Sequence, residues 1–119
     1  MVTLHVPLLP ETEYMVGEDL LRLMPRTAVL INTARAGLIR QDALCDALVE
    51  GRIAGAGLDA VDLESESATR LLELDQVVIT PHIGFNTHEA VANLAAICTD
   101  NAVCFLDGEP RNVAEPPAG

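Results

Sequence analysis

An α/β fold on a parallel sheet is what this sequence predicts, and three observations carry that reading. Short, continuous apolar runs recur at strand length, as expected for strands buried on both faces. Segments with helical spacing separate them, which implies right-handed βαβ units. A polar residue (Arg35, Asp59 or His82) then follows each of three runs, where ligands gather beyond the carboxyl ends of such strands.

The elements follow in order. Val2 to His5 is a short apolar stretch leading to Pro7, and it reads as a strand already in progress. Opening on a strand with nothing before it to cover it hints at truncation. Thr12 is placed to cap a short helix reaching Val16, and Gly17 punctuates the segment. Glu18 to Leu23 reads as a short helix stopped by Pro25. Ala28 to Ile31 is a strand, and Gln41 to Val49 a helix with Ala43, Leu44, Ala47 and Leu48 on one face, ended by Gly51. Ala54 to Leu58 is a strand closed by Asp59. Thr69 to Leu74 reads as a helical turn, and Val77 to Thr80 as a strand ended by Pro81. The longest helix is predicted from Asn86 to Leu106, capped by Thr87, with Ala90, Leu94, Ile97 and Val103 on its apolar side. Gly108 and Pro110 end it, before a loose tail, Glu115 to Gly119.

Composition bounds the function. At 119 residues, half of them apolar, the chain is one domain by length. All seven cations are Arg and the formal charge is −11, so there is no basic footprint for nucleic acid or an anionic membrane. Three cysteines (Cys45, Cys98, Cys104) without CxxC spacing argue against a disulfide framework or a metal site. They read as small buried hydrophobes in a reducing cytoplasm. No apolar run approaches the roughly 18 residues of a membrane-spanning helix.

Three residues carry candidate chemistry. Arg35 precedes Gly37 after a buried strand, and a guanidinium suits bidentate capture of a carboxylate. The plainer reading is a surface Arg paired with one of the many acids. His82, between Pro81 and Gly84, has the side chain suited to proton transfer near neutrality; a structural His is the alternative. Glu64 is one of several acids in Asp62-Leu63-Glu64-Ser65-Glu66. A carboxylate on His82 would orient it and favour the imidazolium, although a solvated acidic loop reads as easily. Gly55-Ala56-Gly57-Leu58-Asp59-Ala60 matches G-x-G-x-x-A. Its glycines lie in or before a strand with no helix behind them, so it is not a phosphate loop.

Ile31-Asn32-Thr33-Ala34-Arg35-Ala36-Gly37-Leu38-Ile39, Gly57-Leu58-Asp59-Ala60-Val61 and Pro81-His82-Ile83-Gly84 together resemble the D-isomer-specific 2-hydroxyacid dehydrogenases, as does Leu4-His5-Val6-Pro7 upstream. Glu64 lies 29 positions after Arg35, a separation similar to the family's. The resemblance implies the C-terminal portion of a Rossmann-like parallel sheet with flanking helices, truncated at the N-terminus. Residues 1–107 would be a partial NAD-binding domain and 108–119 a tail. It implies an NAD-dependent oxidoreductase that reversibly reduces a 2-oxo acid by hydride transfer, with NADP also open as cofactor. Arg35 would bind the substrate carboxylate, His82 would be the general acid, and Glu64 would hold His82 protonated. Asp59 would meet the nicotinamide carboxamide, with His5, Pro7, Thr33, Ala34, Arg35, His82 and Gly84 along the cofactor cleft.

Ala36 departs from the glycine usual after the arginine, and Ser65-Glu66-Ser67 from the usual Glu-Pro ending of the second motif. The glycine-rich cofactor loop and the substrate domain would lie before Met1, so the chain alone would be a fragment with little activity. The resemblance further implies a small-molecule 2-hydroxy or 2-oxo acid substrate and a cytoplasmic homodimer at full length. A nucleotide-sensing module like the C-terminal-binding-protein corepressors, which share fold and triad, is a second reading. A decayed reading frame is a third.

Overall fold

The computed structural model describes residues 1–114; the expected tail at Glu115 to Gly119 lies outside them. Two compact units divide the chain, Met1–Gly84 and Phe85–Gly119. The first is built on four parallel strands, β1 (Val2–Leu4), β2 (Val29–Asn32), β3 (Gly55–Leu58) and β4 (Val77–Ile79), in the order β1-β2-β3-β4. Helices α1 (Glu18–Leu23), α2 (Gln41–Val49) and α3 (Ser67–Leu72) connect them. With each strand beside its predecessor, right-handed crossovers put all three helices on one face.

The register explains the burial. Leu30, Ala56 and Val77 are aligned on the helix-covered face, and Thr3, Ile31, Gly57 and Val78 on the opposite face. The core lies between sheet and helices, where Leu21, Leu30, Leu38, Leu44, Leu48 and Leu71 are fully buried. Cys45 is among them, and burial pushes its thiol pKa up, so it is an inert packing residue.

The glycines of the rejected phosphate-loop match serve close packing inside β3. A Cβ on Gly55 would sit 2.6 Å from the Gln76 carbonyl oxygen, which accepts the Ala56 amide. One on Gly57 would meet only the tip of Ile31, at 2.9 Å. Gly51 has a different task. In the left-handed region (φ +62°), it closes α2 as a Schellman motif, with Gly51 N donating to Leu48 O and Arg52 N to Ala47 O.

Two local expectations in this unit are corrected. Thr12 caps no helix: its hydroxyl accepts from Leu9 N and donates to Pro7 O, closing a turn. Tyr14 then takes a positive φ of 51°, and Val16 forms an isolated parallel bridge with Ile39. The pull of that pairing overrides any helical tendency. α3 also starts two residues earlier than expected, because Ser65 O accepts the Ala68 amide.

The second unit is α4 (His88–Leu106), capped as expected by Thr87, whose hydroxyl accepts from Ala90 N. Gly108 closes it with the same Schellman pattern as α2. Its expected apolar side is exposed at Leu94, Ile97 and Val103. Cys98 is exposed too, which corrects its expected burial. It lies six positions before buried Cys104, about a third of a turn away around the helix, so one face cannot hold both. α4 also reaches the length and mean hydropathy (1.3) of a membrane span. The expectation that nothing approached one counted uninterrupted apolar residues and missed the average over Ala, Val, Ile and Leu.

The close approach at β3 yields a stability prediction. Gly55→Ala is expected to destabilise the protein by about 1–3 kcal/mol, and Gly57→Ala by clearly less, because only a flexible side-chain end must move. Urea midpoints of the two variants check the order.

Candidate active site

The candidate residues of the first unit lie in loops that follow the carboxyl ends of its strands, and polar side chains anchor the loops of Arg35, His82 and Glu64. Asn32, the last residue of β2, is fully buried. Its Oδ1 accepts from Ala34 N at 3.1 Å and its Nδ2 donates to Arg35 O at 2.8 Å. This Asx-type turn fixes the backbone that carries Thr33, Ala34 and Arg35. The Arg35 side chain is exposed, and its Nη1 donates to Ala34 O.

Asp59 does the same work at the end of β3. Its carboxylate accepts from the Thr80 hydroxyl, from Ile83 N at 3.1 Å and from Gly84 N at 3.2 Å. Those donors bracket His82, which sits exposed between them with φ +56°. A non-glycine residue in that region is held against a conformational cost. The hydrogen bonds on both sides of His82 are what hold it. The Thr80 hydroxyl, followed by the Ile83 and Gly84 amides and the neighbouring His82, lowers the Asp59 pKa below its ordinary 3.8, while burial works the other way.

The loop bearing Glu64 is anchored from α2. Gln41 donates to Asp62 O and accepts from Asp62 N, and Asp62 Oδ1 accepts from Glu64 N at 3.0 Å. Glu64 itself is exposed and makes no hydrogen bond or ion pair with His82. The Ser65-Glu66-Ser67 departure forms hydrogen bonds of its own, with Ser65 and Ser67 hydroxyls 2.8 Å apart.

Two open clefts result. One, of about 520 Å³, is lined by Arg35, Asp59, Leu63, Thr80 and His82, among others. The other, of about 670 Å³, is lined by His5, Pro7, Ala34 and Arg35. Arg35 belongs to both. Thus the structure brings Arg35, Asp59 and His82 to one cleft and His5, Pro7 and Ala34 to its neighbour. Thr33 stands exposed in the Arg35 loop and Gly84 lies under the Asp59 carboxylate, whereas Glu64 follows Leu63 in the chain but is not among the residues that line the cleft. Asn32 and Gln41 were not singled out from the sequence. An Asn ending an apolar strand is a turn signal, so Asn32 was findable, whereas Gln41 carried no sign of its partner.

Residues 1–84 match the family model described as D-isomer specific 2-hydroxyacid dehydrogenase, NAD binding domain. The chain belongs to that family. It is 43% identical to a glycerate dehydrogenase of Methylorubrum extorquens over 97% of its length, and 46% identical to a glyoxylate reductase of Thermococcus litoralis over 94%. It spans 38% and 34% of those curated relatives. Among solved structures, it superposes with a TM-score of 0.89 on the NAD-complexed D-isomer specific 2-hydroxyacid dehydrogenase of Lactobacillus delbrueckii ssp. bulgaricus. That match is 38% identical and covers 95% of this chain and 39% of the other. The family's Rossmann-like sheet is the fold seen here.

The Asp59 anchor makes a pH prediction. A carboxylate with a lower pKa folded than unfolded stabilises the fold above its unfolded pKa, and that contribution is lost as pH falls through the folded value. The His82 loop is therefore expected to hold unchanged from pH 5 to 8 and to loosen in acid, below about pH 4. Amide protection factors of Ile83 and Gly84 should fall about tenfold there. Asp59→Asn should lower them at neutral pH and flatten the acid dependence.

Proposed function

We propose that this chain supplies the catalytic strand ends of an NAD-dependent D-2-hydroxyacid dehydrogenase, which reversibly reduces a 2-oxo acid. The observation that carries the reading is the shared cleft: Arg35 and His82 face it from the ends of β2 and β4, with Asp59 of β3 between them. A guanidinium and an imidazole on one opening can clamp a carboxylate and deliver a proton to the adjacent carbonyl oxygen.

In this reading Arg35 binds the substrate carboxylate and polarises the reacting carbonyl. His82 donates the proton as the carbonyl becomes an alcohol and removes it in the reverse direction. Glu64 pairs with His82 and keeps it protonated. The gap between them in this structure is compatible with that role, because catalytic hydrogen bonds often tighten only when substrate is bound. Bound NADH would supply the hydride.

The residues fit the nicotinamide end of that cofactor. Asp59 Oδ2 accepts one hydrogen bond, from Gly84 N, and retains a lone pair for a carboxamide N–H. The neighbouring cleft at His5, Pro7 and Ala34 is within the size range of ligand sites. Thr33 and Gly84 stand beside these two clefts. Among the described residues no Gly-x-Gly turn opens a helix after a strand, so a pyrophosphate cradle is not part of what they supply. NAD is the cofactor proposed first, with NADP the alternative.

The enzyme reading is favoured over the corepressor-like one because the relatives named above are a dehydrogenase and a reductase. The proposal includes residues 1–107 as part of the cofactor-binding domain, with a homodimer at the relatives' length. It also includes a cytoplasmic setting, with α4 not read as a membrane span, because Glu89, Asn93, Asp100 and Asn101 lie along its length and a lipid environment would penalise them.

The 119-residue chain is expected to show no turnover of pyruvate, glyoxylate or hydroxypyruvate with NADH at ordinary enzyme rates; robust turnover would contradict the division of labour proposed. In a protein of the relatives' length that carries this chain, His82→Ala should cut kcat by about 10²–10⁴-fold and leave NADH binding, followed by its fluorescence, near wild type. Undiminished turnover would remove His82 from the acid role.

A further inference from the structure

We propose that Gln41 is a positioning residue for Glu64, acting through the backbone of Asp62; this rests on the role given to Glu64 above. Gln41 opens α2 and sits 21 positions before Asp62. Its carboxamide pairs with both backbone groups of that one residue: Nε2 donates to Asp62 O at 3.0 Å, and Oε1 accepts from Asp62 N at 2.9 Å. Two antiparallel hydrogen bonds to one residue fix its orientation as well as its distance. Asp62 Oδ1 then accepts the Glu64 amide at 3.0 Å, so the constraint passes directly to the residue with the proposed carboxylate.

The second N–H of Gln41 closes the other side of the loop. Nε2 donates to the Ser67 hydroxyl at 3.2 Å, and Ser67 is buried. The Ser67 and Ser65 hydroxyls are 2.8 Å apart, and Ser65 Oγ donates to Asp42 Oδ1 at 3.5 Å, back on α2. Both amide protons of Gln41 are therefore used, and the string of hydroxyls runs in one direction, from Gln41 to Asp42. A glutamate could accept from Asp62 N but could not donate to Asp62 O. It would also bring another charge next to Asp42 and Asp62.

The loop needs such a strap. Asp62, Glu64 and Glu66 are three exposed carboxylates within five residues, and their mutual repulsion favours an open, disordered loop. α2 supplies a rigid base, since its Leu44, Cys45, Ala47 and Leu48 are buried in the core. Hydrogen bonds made from that base fix the backbone of Glu64, the residue that follows Leu63, and Leu63 lines the cleft of His82.

The test is the pH profile of 2-oxo acid reduction by a protein of the relatives' length that carries this chain, in wild type, Glu64→Gln, Gln41→Met and Gln76→Met. Gln76 is the control, because its Nε2 bonds to Leu48 O away from the loop. Arg35 and Asp59, the other charged groups on the His82 cleft, are untouched in all four. Glu64→Gln should move the alkaline limb of kcat to lower pH by about one unit. Gln41→Met should move it the same way, lower kcat about tenfold, leave the KM for NADH unchanged and speed amide exchange at Glu64. Gln76→Met should do none of this. If Glu64→Gln moves the limb and Gln41→Met does not, the inference about Gln41 is overturned and the proposed function stands. If Glu64→Gln leaves the limb in place, the role of Glu64 falls, and this inference with it. Should Gln41→Met fail to fold, Gln41→Glu takes its place, since it keeps the acceptor for Asp62 N but loses the donors to Asp62 O and Ser67, and the same readouts decide.

Discussion

The carboxylate of Asp59 accepts three hydrogen bonds from a loop it does not belong to, and the rest of the candidate site is arranged around that fact. Thr80 precedes His82 and Ile83 and Gly84 follow it, so the donors pin the chain on both sides of the proposed acid. The conformation thus imposed, φ +56° at a histidine, would not persist in a free peptide. Backbone N–H groups aimed at a buried anion supply the compensation. His82 can then be exposed and still be placed, which a reactive imidazole requires.

A common pattern joins the three anchored loops. Each proposed catalytic residue is exposed, and each is held by a less exposed polar side chain at a nearby element end: Arg35 by Asn32, His82 by Asp59, Glu64 by Gln41. The anchors sit on elements whose burial in the aliphatic core makes them rigid. Reactivity and placement are therefore divided between different side chains, which lets the reactive ones keep the solvent access that binding needs. The glycines of β3 belong to the same economy, since Gly55 lets the Gln76 backbone approach closely and so brings β4, with His82 beyond it, alongside β3.

Much of this was legible in the sequence. The runs at Val29, Gly55 and Val77 read as strands because continuous apolar runs mark parallel strands. The expected burial on both faces is corrected, since the helices cover one face and Val78 on the other is exposed. Gln41 to Val49 read correctly as a helix because Ala43, Leu44, Ala47 and Leu48 recur on one face, and Gly51 supplies the positive φ that its end uses. Thr87 was recognisable as a cap for α4 by residue type and position. Cys98 and the Thr12 turn were misread for a shared reason. Apolar context does not say which side of a helix is covered, and a capping residue type does not say whether a distant strand competes for the same backbone.

The sequence by itself determined the order of elements, the alternation that makes a parallel sheet, and the presence of Arg35, Asp59 and His82 at strand ends, because these follow from local periodicity and from residues adjacent in the chain. Only the tertiary structure decided which polar groups meet. Asp59 finds donors 21, 24 and 25 residues away, and Gln41 finds Asp62 at a distance of 21. Such pairings depend on how the sheet register and the helix contacts bring separate loops together. That is a property of packing, to which no local pattern in the chain gives access.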